Sequence, residues 1–172
     1  MEDQTPELFR ILYVDGDFAQ HDTRRNGLEN TIPEIRVITA ETANDAISKV
    51  TEDVKSEIIA IILSQTLGKK DVQKVLHHLQ TTDREEIERF LITTGSKTVS
   101  EDLIQQLEEE NTDPGMAIAG RKGPYDIAEA VKQKLIGAGL ILNVENPDPR
   151  TFDPSRTEPM IRPDFKDPTP KL

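Results

Sequence analysis

Five times along its first 137 residues this chain alternates a strand-length apolar run with a segment of helical period, and that alternation restricts the fold more than any other feature. Phe9-Arg10-Ile11-Leu12-Tyr13-Val14 reads as a strand ending at Asp15-Gly16-Asp17. Residues 18–30 follow as a helix, closed by Glu29-Asn30 and stopped by Pro33. Ile35-Arg36-Val37-Ile38-Thr39 is the next strand, and a helix over 42–53 carries Ala43, Ala46, Ile47 and Val50 on one face. Ile58-Ile59-Ala60-Ile61-Ile62-Leu63 is apolar throughout, the pattern of a central strand covered on both faces. The alternation continues with a helix over 70–80 (Val72, Val75, Leu76, Leu79), a strand at 90–94 and a helix over 99–109. A turn at Asp113-Pro114-Gly115 leads into a weaker strand, Met116-Ala117-Ile118-Ala119. The last helix, over 125–137, directs Ile127, Ala130, Val131 and Leu135 inward before Gly137 and Gly139 end it. Right-handed crossovers place helices on both faces, so five βα units predict an α/β fold with an open, doubly wound sheet of five parallel strands.

Beyond residue 142 the composition shifts: seven of the eleven prolines, from Pro147 to Pro170, fall in the last 26 residues. Proline at that density excludes a helix and favours extended polyproline II. The chain therefore divides into an N-terminal extension (1–8), a domain (9–142) and a Pro-rich tail (143–172). The tail is either disordered or an arm that wraps its own domain or a neighbour, with Phe152, Met160, Ile161 and Phe165 as anchors.

Thirty-two acidic against 21 basic residues give a net charge of -11, which argues against a nucleic-acid surface, because phosphate binding needs clustered Lys and Arg. The absence of cysteine excludes disulfides, thiolate metal sites and thiol nucleophiles. The acidic, polar start Met1-Glu2-Asp3-Gln4 is unlike a signal peptide, and no apolar run is long enough to span a bilayer. A soluble, cytoplasmic protein without membrane contact is expected.

In doubly wound sheets chemistry gathers at the carboxyl ends of the strands. There this chain places Val14-Asp15-Gly16-Asp17 after the first strand, Ser64 after the third, Thr94 at the end of the fourth and Lys122-Gly123-Pro124-Tyr125-Asp126 after the fifth. Over residues 9–137 this order and spacing resembles the receiver domains of response regulators, the CheY-like family with a flavodoxin-like fold. In that family an acidic pair after strand one and an aspartate ending strand three hold Mg2+, the latter accepts phosphate from a partner's histidine, and a Thr or Ser and a Lys respond. By that resemblance Asp15 matches the first acid, Gly16 stands where the second belongs, Asp17 is one residue too far, and Ser64 replaces the phosphoacceptor. Thr94 matches the switch Thr; either Lys122 or Gly123 occupies the place of the lysine. No aromatic residue stands in the last strand.

With one carboxylate of three left, Mg2+ binding should be lost or weak, and no cofactor is expected. A serine hydroxyl without an adjacent base is a poor phosphoacceptor. The resemblance thus implies a degenerate pseudo-receiver, not an enzyme, acting in bacterial two-component-type signalling by phosphorylation-independent protein contact. The partner would be a histidine kinase, a regulator or an output protein, and a homodimer is also admitted. Family precedent places contacts on the face of helix four, strand five and helix five, where Arg121, Lys122 and Tyr125 offer a polar edge with an aromatic anchor. The alternative is a switch that still binds a small ligand or phosphoryl group through Asp15, Asp17, Ser64 and Thr94; a third possibility is a scaffold whose tail binds. His77 and His78 lie about 100° apart on one helix, cannot chelate one metal together, and read as surface or boundary residues; His21, near Asp17, reads as an exposed helix residue, a phosphotransfer or catalytic role having no supporting partner in the sequence. The charge runs Glu85-Glu86 and Glu108-Glu109-Glu110 read as solvated faces, and no phosphate loop or hydrolase triad is present.

Overall fold

The computed structural model describes residues 8–92, 101–113, 115–118 and 124–142; for Pro124 and Tyr125 it describes the backbone alone. Five strands pair in parallel: β1 (Phe9–Val14), β2 (Ile35–Ala40), β3 (Ile58–Ser64), β4 (Glu88–Ile92) and β5 (Met116–Ile118). Their order is β2-β1-β3-β4-β5, so β3 is central, as its unbroken apolar run requires, and all seven of its residues are buried.

Side chains alternate across the sheet with period two and sort into two layers. Leu12, Val14, Ile61, Leu63 and Leu91 pack under α2 (Ala43–Glu52), α3 (Lys69–Thr81) and α4 (Glu101–Glu109). Ile11, Tyr13, Ala60, Ile62, Phe90 and Ile92 pack under α1 (His21–Thr31) and α5 (Pro124–Gly137). The helices lie within a residue or three of their expected spans. Val72, Val75, Leu76 and Leu79 are all buried, as are Ala43, Ala46 and Val50, with Ile47 half-buried.

Several local expectations need correction. The segment expected as one helix over 18–30 opens with a single 3₁₀ turn, Phe18–Gln20, which Asp17 caps through its side chain, and becomes α-helical only at His21. In α5 it is Ala128 that is fully buried, while Ala130 is half-buried. Glu88 and Arg89 join β4, with Arg89 buried despite its charge. His77 is exposed and His78 half-buried, in agreement with their expected surface or boundary placement. Thr93, Thr94, Ala119 and the tail lie outside the described residues.

Below the sheet, Asp53 follows α2 and turns the chain into β3. Its carboxylate accepts from the backbone N–H of Glu57 (3.0 Å) and Ile58 (2.9 Å) and pairs with Arg84 at 3.1 Å. Burial acts to raise its pKa, but the Ile58 N–H, the Arg84 guanidinium and the Glu57 N–H outweigh burial and hold it below the ordinary value.

Candidate functional site

The strand order reverses between β1 and β3, because β2 lies to one side of β1 and all later strands to the other. At that point the carboxyl ends of β1 and β3 stand side by side, Val14 in register with Leu63, so Asp15 and Ser64 are neighbours at the usual ligand position of such sheets. Both are fully buried, at 0% exposure.

Asp15 is engaged on every side. Its carboxylate accepts from the Tyr13 hydroxyl, from the Thr66 hydroxyl and from the Asp17 backbone N–H at 2.9 Å. Tyr13 reaches it because period two puts residues 13 and 15 on the same side of β1. Burial pushes the Tyr13 phenol well above its ordinary pKa, the hydrogen bond to Asp15 and its charge push further, and Arg24 opposes them; the hydroxyl therefore keeps its proton and donates it.

Thr66 ties the two loops together. Its hydroxyl oxygen accepts the Gly16 N–H at 3.0 Å, lies 3.1 Å from Ser64 Oγ and donates to Asp15. Sequence reasoning passed over Thr66, which sits two residues past the strand end in a 3₁₀ turn, Gln65–Leu67, capped by Ser64. A hydroxyl two positions after Ser64 was the available signal, since such a turn folds residue 66 back towards the strand end.

His21 was expected on an exposed surface, and the structure overturns this. It is 2% exposed, with Nε2 2.8 Å from the Asp15 carbonyl oxygen and its ring edge-on to Tyr13. The period of α1 carries Arg24 inward one turn later, to 9% exposure, where its Nε and Nη1 have no partner among the described residues. Phe18, at 69% exposure, leans on the His21 ring from outside.

The structure brings together Asp15, Gly16 and Ser64. It does not bring Asp17, whose exposed side chain turns away to accept from the Ala19 N–H at 3.1 Å. Thr94, Arg121 and Lys122, the side chain of Tyr125, and Phe152, Met160, Ile161 and Phe165 lie outside the described residues. Among the described residues no group of three or more His, Asp or Glu side chains is placed to hold a metal ion, and no helix is long and apolar enough to cross a membrane.

No family model matches the chain, and no curated protein matches it either. Solved structures do. A CheY-like response regulator receiver domain protein from Methanospirillum hungatei JF-1 aligns with a TM-score of 0.57 at 20% identity, covering 77% of this chain and 97% of its own. The signal receiver domain of a DNA binding response regulator protein from Colwellia psychrerythraea 34H gives 0.57 at 16%, covering 74% and 98%. The phosphorylated cyanobacterial phytochrome response regulator RcpA gives 0.55 at 17%, covering 75% and 92%. At these identities the likeness concerns architecture, and it agrees with the strand order and the two helical layers: this chain has the response-regulator receiver fold.

Proposed function

We propose that the chain is a pseudo-receiver: a signalling module of receiver fold that works through protein contact without accepting a phosphoryl group. The observation that carries this is Ser64, fully buried at the end of β3 where a receiver presents its phosphoacceptor carboxylate. Its hydroxyl lies against Thr66, and no described carboxylate or imidazole bonds to it as a base. Gly16 removes the second acid, and Asp17, turned outward, does not replace it. Mg2+ prefers near-octahedral oxygen ligation with room for water, and a single buried carboxylate already holding three donors does not fit that demand. The partner is a kinase, regulator or output protein of a two-component-type pathway, and the tail is available as a second contact or a dimer arm.

Incubating the whole chain with acetyl phosphate, or with beryllofluoride and Mg2+, tests this reading by intact mass and by NMR shifts of the strand-end amides. No added mass and no Mg2+-dependent shift is expected; phosphorylation or a fluoride complex at the strand ends overturns it. The alternative, a small-ligand switch using Asp15, Asp17, Ser64 and Thr94, has less support. Asp15 and Ser64 are sealed from solvent and Asp17 points away, so these three do not form an open crevice.

A further inference from the structure

A buried carboxylate without a metal needs other donors and another positive charge. The described residues supply Asp15 with the donors. Tyr13, Thr66 and the Asp17 N–H supply three hydrogen bonds. Arg24, on α1, is nine-tenths buried, and its charge works against the rise that Asp15 imposes on the Tyr13 phenol. Among the described residues Arg24 Nε and Nη1 have no hydrogen-bond partner.

We infer that Thr66 and Tyr13 form a closed clasp on Asp15 that takes the place of the metal, holding the β1–α1 and β3–α3 loops together independently of divalent cations. The inference rests on the pseudo-receiver reading and adds to it: losing two carboxylates is not the whole difference, because the remaining one has been put to structural use. Thr66 is the pivot. One hydroxyl oxygen accepts from Gly16 on the first loop while its proton goes to Asp15, and the Thr66 backbone belongs to the second loop. Charge-assisted bonds of this kind are the strong ones among hydrogen bonds.

The clasp also bears on any attempt to rebuild the site. A side chain at position 16 meets ordinary contact distances, its Cβ 3.4 Å from the Thr66 carbonyl oxygen, so Gly16→Asp is sterically admissible. Asp15 would nonetheless stay committed to Thr66 and Tyr13, and a restored acidic cluster would lack its share of the ligand set.

Two measurements decide. In the otherwise native chain, Thr66→Val should raise hydrogen exchange at the Gly16 and Asp17 amides by roughly tenfold or more, and Thr66→Ser should restore protection, because it returns the hydroxyl. Unchanged protection in Thr66→Val overturns the clasp. In the second, MgCl2 is titrated into Gly16→Asp/Ser64→Asp chains with and without Thr66→Val, following amide shifts. Saturable binding is expected only when Thr66 is also replaced; millimolar or tighter binding with Thr66 in place overturns the inference. If the native chain itself binds Mg2+, the pseudo-receiver reading fails as well. If it does not, and Thr66→Val leaves protection intact, the clasp alone fails.

Discussion

Gly115 lies at φ +70°, and a Cβ built on it would come 2.1 Å from the Arg89 carbonyl oxygen. Both the backbone conformation and the contact exclude a side chain. Gly115→Ala should therefore destabilise the domain by about 2 kcal/mol or more, read by urea unfolding. The sequence marks this turn plainly, because Asp-Pro-Gly is turn chemistry; the approach to β4 is a tertiary fact it does not carry. Asp53 is a sharper case. Read along the chain it is the last residue of a helix, yet it holds two backbone N–H groups and Arg84, 31 residues away. Asp53→Asn should cost roughly 2–3 kcal/mol at pH 7. Because its folded pKa is depressed, the native advantage over Asn is complete above the unfolded value near pH 4 and is lost as pH falls through the folded value. Urea midpoints of the two proteins should therefore converge as pH falls below about 4. A gap that persists to the acid end would show that charge is not what Asp53 contributes.

At the scale of elements, legibility followed how purely each segment expresses one period. α3 places four apolar residues at ideal spacing, and all four are buried. β3 is apolar throughout and lies in the middle of the sheet. α1 was harder, since its inward face holds His21 and Arg24 before it reaches Gly27 and Leu28, so polarity concealed which side was inside. The reason is local to the site: His21 turns onto the Asp15 carbonyl at the strand end and Arg24 is buried one turn later, so the helix gives up apolar positions there. Asp15, Gly16 and Ser64 were identifiable from their spacing against strand ends. Thr66 was not, because its role arises from a 3₁₀ turn that brings a hydroxyl back across 51 residues to Asp15. Prediction of the strand positions thus located the site, and side-chain direction decided what the site contains.

Among the described residues the domain is one sheet with two hydrophobic layers, and both layers take residues from β1, β3 and β4. Damage to either should therefore be felt by the whole domain. Leu76→Ala, under the α2–α4 layer, and Leu135→Ala, under the α1–α5 layer, remove side chains that are fully buried. Each should lower stability by about 2–5 kcal/mol in a single unfolding transition with an unchanged denaturant slope. A biphasic curve for either variant would mean that the layers unfold separately. The strand order has one more consequence, for a chain emerging from the ribosome. β1 leads the sequence, but both of its neighbours come later: β2 ends at Ala40 and β3 at Ser64. The first strand must therefore wait, one edge and then the other unpaired, until β3 has cleared the exit tunnel. From then on the sheet grows in one direction, β4 and then β5 adding to an edge already made. The interval in which β1 lacks its partners is thus set by the stretch from β1 to β3, and the strand-end clasp, whose members Tyr13, Asp15 and Thr66 lie at the two ends of that stretch, can close as the interval ends.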